Sequence, residues 1–474
     1  MDLLRVAPSG RFHDPLDRRD FLRRTALGGA AAVFSPGLLA TLVRATAGAR
    51  VGPVTAGDGY GPLRPAGPEL ALPEGFKYAV LGRSGVAMSD GNPTPIAHDG
   101  MAAFEGPDGL VRLIRNHEVR DAPGASSIGD PETAYDPMAG GGTTTLDVRI
   151  GDGEIEVVRD FVSLNGTLVN CAGGPTPWGS WISCEETTQG TANGFARPHG
   201  YAFEVPSNAD GPVEATPLLA LGRFVHEALA VDPETGLLYL TEDFASSGFY
   251  RFLPDEPGRI PAGGRLQILA VEGAPNHDTR RGQRTGPRHP VRWIDIDDVE
   301  PPEAESDPLA VFRQGARKGA AAFSRLEGCG WGPDGVWFHA TDGGDAHCGQ
   351  VWLYRPEEGA GADPAGAGTL ELVFESPGPE VLDQPDNLVV SPRGGVLICE
   401  DCDGAIHLRG LSPAGEVFPF ARNLLNQREF AGACYDPSGR VLFFNLQGDT
   451  VTGRANPAPS MTFAVWGPWE RGTL

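Results

Sequence analysis

The sequence predicts an all-β fold and, within that class, a six-bladed β-propeller. Three observations carry the prediction: a Gly- and Pro-rich composition broken into short apolar runs, one turn pattern repeated six times, and a strand-like segment on each side of every turn. Gly (66) and Pro (43) are abundant among the 474 residues, yet 40% of the chain is hydrophobic. Those apolar residues group into short β-branched and aromatic runs, the pattern of many short strands joined by many turns. The chain is long for one sandwich and suits a closed, repetitive β-architecture.

The turns run in order: Pro107-Asp108-Gly109, Pro177-Trp178-Gly179, Pro233-Glu234-Thr235-Gly236, Pro333-Asp334-Gly335, Pro392-Arg393-Gly394 and Pro437-Ser438-Gly439. Proline pre-sets φ for a type I turn and glycine tolerates the positive φ at its exit, with Asp or Ser favoured just ahead, as at Asp232, Ser391 and Asp436. After each turn comes an apolar strand (LVRLIRN, SWISCEE, LLYLTED, VWFHATD, VLICEDC, VLFFNLQ), and another precedes it, as in EALAVD or DNLVVS. Segments such as SGFYRFLP and GQVWLYRP supply outer strands. Six hairpins of one type imply six blades, with each blade's innermost strand starting near one mouth of a central channel and the next strand returning there.

The chemistry collects at that mouth. The inner strands begin at Asp99, Cys171, Glu227, Glu327, Asp386 and Glu429, and the returning strands end at Asn116-His117-Glu118, Glu185-Glu186, Glu242-Asp243, Thr341-Asp342, Glu400-Asp401 and Asn445. Cys171 to Glu186, Glu227 to Glu242, Glu327 to Asp342 and Asp386 to Asp401 are each fifteen residues apart. Strand alternation turns one acid of each adjacent pair to the channel and leaves open which. Carboxylates that close repel one another and call for cations. Oxygen ligands suit calcium, while a thiolate among them suits a transition metal such as iron. Arg325, two residues before Glu327, shares its strand face, so it either neutralises the ring or binds an anionic substrate. His117 and His226 each precede a glutamate and are read as satisfied polar residues. Cys399 and Cys402 are expected to be structural, and Cys329 and Cys348 to bridge across the fourth hairpin. No GxSxG elbow and no P-loop motif occurs, so serine nucleophile and P-loop chemistry have no support in the sequence.

The ends and the charge place the chain. Arg18 and Arg19, Phe21 and Leu22, a weakly apolar run from Thr25 to Val43 and an A-x-A option at Ala45-Thr46-Ala47 have the order of a twin-arginine export signal. The expected organisation is a signal over 1–49, a Pro/Gly-rich segment over 50–75 and one propeller over 76–474, exported to the periplasm or beyond by the twin-arginine machinery. That route carries folded proteins and suits enzymes loaded with a difficult cofactor. A net charge of -24 argues against nucleic acid or an anionic membrane as partner.

The segments RNHE, NGTLVNCAGGPTPWGSWISCEE, GRFVHEALAVD, RLEG, QPDNLVVSPRGGVLICED and EFAGACYDPSGRVLFFN together resemble the PhoX-type alkaline phosphatases, in order from about His98 to Gln447. The resemblance implies a twin-arginine-exported, six-bladed propeller that hydrolyses phosphate monoesters at a cluster of iron and calcium ions. It implies that Cys171 is an iron ligand, that Glu118, Glu185, Glu227, Glu327 and Asp386 are carboxylate ligands with Asn116 beside them, and that Arg325 contacts the phosphate, with Glu400 and Glu429 as further ligands. Small phosphorylated molecules are the expected partners. The competing readings are a calcium-dependent propeller lactonase or esterase, which leaves Cys171 and Arg325 without a task, and a non-catalytic binding propeller.

Overall fold

A computed structural model describes residues 59–124, 128–151, 153–357 and 366–474. The expected export signal lies outside them. All six turns join antiparallel hairpins: His98–Glu105 with Val111–His117, Asn170–Pro175 with Ser180–Glu185, His226–Val231 with Leu238–Glu242, Leu326–Gly332 with Gly335–Ala340, Pro385–Val390 with Val396–Glu400, and Phe430–Tyr435 with Val441–Leu446. Further strands extend each hairpin outward, among them Gly141–Ile150 and Ile155–Thr167 in the first and Gln350–Pro356 and Gly368–Glu375 in the fourth.

The first strands of the six hairpins pack side by side in chain order, and the sixth packs on the first, closing a propeller ring. Hydrogen-bonded sheets number five among the described residues, because the outer strand Arg288–Asp295 of the third hairpin pairs with Gly368–Glu375 of the fourth and fuses their sheets. Sequence pattern follows position. Inner strands such as His226–Val231 are buried along their whole length because a blade packs on each face, whereas Gly368–Glu375 alternates buried and half-buried residues strictly. Between blades the core is aromatic, as where Phe249 stacks on Phe338 at 4.1 Å.

Closure uses both ends of the described chain. Lys77–Arg83 pairs antiparallel with Met461–Trp466 as the outer strand of the last blade. Leu70–Leu72, all buried, pairs with Val417–Asn423. Tyr60 and Phe76 sit edge-on to Trp469 and Phe420 at 4.8–6.0 Å. Residues 59–75, expected ahead of the propeller, are therefore part of its wall.

Candidate functional site

Each inner hairpin breaks register at its mouth end: after His98, Asn170, His226, Leu326, Pro385 and Ala431 the pairing skips two residues before resuming. Such a bulge re-aims the side chain within it, and in five hairpins the residue re-aimed first is Asp99, Cys171, Glu227, Glu327 or Asp386. Two residues upstream, Ala97, Val169, Arg325 and Gln384 hold φ at 56, 51, 47 and 49°, a left-handed conformation that is rare outside glycine and costly for a β-branched valine. The returning chain is pinned there. The amides of Glu118, Glu186, Asp243, Thr341 and Asp401 donate to the carbonyls of Ala97, Val169, Val225, Arg325 and Gln384 at 2.9–3.2 Å. Four strand entries thus bring an acid of the returning chain, Glu118, Glu186, Asp243 or Asp401, to the mouth, whereas in the fourth hairpin the pinned residue is Thr341, whose hydroxyl donates to the Pro385 carbonyl. In the sixth hairpin the re-aimed position is Gly432, where a Cβ would lie 2.2 Å from the Asp99 carbonyl oxygen, and Glu429 reaches in from the strand's entry instead.

Their ligand atoms form four groups, each within 4.8 Å: Asp99, Glu118 and Cys171; Cys171, Glu186 and Glu227; Glu227, Glu327 and Asp386; Asp386, Asp401 and Glu429. Cys171, Glu227 and Asp386 are shared, so the groups run continuously around the mouth. The Cys171 thiol donates to Glu227 Oε1 at 3.0 Å, and Gln447 Nε2 donates to Asp99 Oδ2 at 2.9 Å and to Glu118. Two arginines stand at the rim. Arg325 forks onto Asp243 at 3.0 and 3.1 Å and also pairs with Glu327, while Arg120 pairs with both Glu118 and Glu186.

Electrostatics decide what this ring can hold. Nine carboxylates face two guanidiniums, counting Asp243 with the eight acids of the four groups. Burial, and then the charges of Glu327, Glu186, Asp386 and Asp243, hold the Glu227 carboxyl well above the usual carboxylate range. Burial, followed by Asp99, Glu227, Glu186 and Glu118, does the same to the Cys171 thiol. Glu227 Oε2 is buried without a hydrogen-bond partner among the described residues. A buried acceptor of that kind, surrounded by like charges, is the environment that multivalent cations relieve. Behind the ring, the channel is a cavity of about 560 Å³ lined by small residues including Gly100, Ala172, Ala228 and Gly328.

Of the residues singled out in the sequence, the fold brings Glu118, Cys171, Glu227, Glu327, Asp386 and Glu429 into the ring and sets Arg325 at its rim. It leaves Asn116, Glu185 and Glu400 outside. Asn116 Nδ2 donates to the carbonyls of Cys171 and Ala172, and its Oδ1 accepts from Trp181 at 2.8 Å, so it braces the bulge from behind. Glu185 accepts from the amides of Leu168, Gly200 and Tyr201 and bonds His199 at 2.7 Å. Glu400 accepts from the Asp383 and His407 amides and from Arg409. The physical reason is common to both glutamates: each is the last cross-paired residue of its strand, turned into its own blade, and the channel-facing acid is the next one, Glu186 or Asp401. Glu242 behaves likewise, accepting from Gly248 N and Tyr250 Oη. Its neighbour Asp243 is the equivalent residue, displaced by one because the third turn carries an additional residue. Asp99 was legible as a strand start; Arg120 and Gln447 gave no sequence signal at all.

His117 bonds the Ile96 carbonyl and Thr144, and His226 the Gly222 carbonyl, so both are structural. All seven cysteines are free thiols, and the expected Cys329–Cys348 bridge is absent. Cys329 faces the Tyr239 carbonyl between blades, whereas Cys348 turns to Ala346 in its own loop.

Comparison with known proteins settles the family. The sequence profile of the alkaline phosphatase PhoX family matches residues 58–161 and 154–449. The chain belongs to the PhoX alkaline phosphatase family. It is accordingly a phosphoric monoester hydrolase, from a family of periplasmic or secreted enzymes. Among solved structures it is similar to Pseudomonas fluorescens PhoX in complex with vanadate, a transition-state analogue, at 18% identity and a TM-score of 0.65, covering 87% of this chain and 98% of that one. It also matches a Xanthomonas campestris gluconolactonase at 12% identity and a TM-score of 0.39, covering 85% and 99%. A virginiamycin B lyase from Staphylococcus aureus matches at 12% and 0.35, covering 82% and 99%. Curated protein sequences gave no match. No helix among the described residues is long and apolar enough to cross a membrane.

Proposed function

We propose that this PhoX-family chain hydrolyses small phosphate monoesters at a mixed cluster of iron and calcium held in the ring of carboxylates around Cys171. One observation carries the reading: a single thiol is shared between two donor groups whose other members are all carboxylates. Thiolate favours a transition metal over calcium, and the carboxylates away from Cys171 form oxygen-only groups suited to calcium. Asp99, Glu118, Glu186 and Glu227 with Cys171 would hold the iron-rich side; Glu327, Asp386, Asp401 and Glu429 the calcium-rich side. The vanadate complex of the Pseudomonas protein supports a phosphoryl-transfer site in this fold. A single exported enzyme is the matching biology, with the twin-arginine machinery as the precursor's partner and neither nucleic acid nor membrane as a partner of the mature protein.

When bound, such cations withdraw charge from phosphoryl oxygens and make water a competent nucleophile near neutral pH. The remaining work falls to the protein. Asp243 fixes the Arg325 guanidinium plane through two parallel hydrogen bonds, so the cation is aimed before substrate arrives. Preorganised charge directed at a group that gains charge in the transition state contributes about 3 kcal/mol per donor. Burial of the ring residues limits the screening of that field by bulk water.

The test is Arg325→Ala on holoenzyme. The expected outcome is a kcat/KM lower by roughly two to three orders of magnitude, weaker inhibition by orthophosphate and unchanged metal content. Lysine should recover only part, since a point charge does not reproduce the fork. Altered metal content with phosphate inhibition intact would instead make Arg325 a neutraliser of the ring.

A further inference from the structure

Arg120 follows the family-like RNHE segment by two residues and, like Arg325, pairs with acids of the ring. Its Nη2 pairs with Glu118 and with Glu186, acids of two donor groups that meet at Cys171. Arg325 pairs with Glu327, which shares its group with Glu227. The two guanidiniums therefore flank the Cys171–Glu227 contact, one from the first and second blades and one from the third and fourth. Both reach the opening, with side-chain exposures of 31% for Arg120 and 19% for Arg325. The backbone of Arg120 is anchored independently, its amide donating to the Thr450 carbonyl at 2.8 Å.

We propose that Arg120 is a second substrate-binding residue, acting with Arg325 from the other side of the Cys171–Glu227 contact, and that the pair selects phosphate monoester dianions over diesters. The inference rests on the phosphatase reading above. A monoester dianion carries two charges and three non-bridging oxygens, a diester one charge and two oxygens; two flanking guanidiniums match the first and exceed what the second offers. Cations on Glu118 and Glu186 weaken the hold of those carboxylates on Arg120 and leave its N–H groups to the dianion, because the same oxygens then satisfy the metal.

The experiment uses metal-loaded protein with Arg120→Gln and Arg120→Lys. Orthophosphate binding is read by calorimetry, metal content by elemental analysis, and kcat and KM on p-nitrophenyl phosphate and bis-p-nitrophenyl phosphate. The expected result for the glutamine variant is wild-type metal content, orthophosphate affinity about tenfold or more weaker, and a monoester-to-diester ratio of kcat/KM at least about tenfold lower; the lysine variant should fall between it and wild type. If diester turnover is below detection, orthophosphate affinity alone decides. Metal loss in both variants would overturn the proposal and make Arg120 a tether for Glu118 and Glu186, as would retained metal with unchanged phosphate affinity. Wild-type protein that neither binds orthophosphate nor hydrolyses the monoester would sink the phosphatase reading itself, a different failure.

Discussion

Cys171 occupies the junction of two donor groups and touches Glu227 at 3.0 Å, so its chemistry is separable from its packing. Serine keeps the volume and polarity but supplies a hard oxygen in place of a soft thiolate. Cys171→Ser should lose iron and activity together while the thermal unfolding midpoint stays close to wild type. Full iron content with full turnover would show the thiol to be structural. At this scale the sequence carried about half the site. Residue type and strand-end position marked Cys171, Glu227, Glu327 and Asp386, but in Glu185-Glu186 and Glu400-Asp401 the choice hangs on where cross-strand pairing stops. One residue of register swaps a channel-facing acid for one buried in the blade, and local composition does not encode that stop.

The hairpin is the element in which register is set, and its turn chemistry was legible because proline and glycine each leave a distinct mark. The bulge and the left-handed residues beside it were not, since Ala97, Val169, Arg325 and Gln384 include none of the usual markers of positive φ. They persist because the paired strands on both sides over-determine them. The fourth hairpin also carries a pH liability. His339, on Gly335–Ala340, is wholly buried, and burial, offset only in part by neighbouring backbone at Asn387, pushes its pKa down to about 3. The unfolded chain takes that proton near pH 6.5 and the native state only near 3. Stability is thus intact above about 6.5 and declines as pH falls toward 3, at about 1.4 kcal/mol per pH unit from this group. His339→Phe should flatten the acid limb of a stability-against-pH curve by one proton over that window, as measured by urea unfolding. An unchanged slope would mean that His339 is already protonated in the native state.

Across the whole molecule, closure joins elements far apart in the chain, and the ring of ligands exists only once all six inner strands are in place. Blade repetition was readable from six turns. The sewing of residues 59–75 onto the wall was not, because Leu70–Leu72 is a short run in a Pro- and Gly-rich stretch that resembles a linker. Carboxylates from all six blades gather where cations would sit, which ties loading to the finished ring. The proposed twin-arginine export predicts that replacing Arg18 and Arg19 together with lysine retains folded precursor in the cytoplasm, read by fractionation and activity; undiminished export of that variant would remove the route.

The pairing of Lys77–Arg83 with Met461–Trp466 has a consequence for timing. Roughly 380 residues separate the two strands, and at about 5–20 residues per second a ribosome needs some tens of seconds to deliver the second after the first. Blades form one after another during that interval, Asp99 and Glu118 lack Gln447 until the final hairpin emerges, and the last blade stays incomplete until Met461–Trp466 does. Maturation is therefore post-translational by construction. A nascent chain stalled short of Met461 holds an open arc of blades with exposed strand edges, a substrate for chaperones and proteases rather than a partly working enzyme.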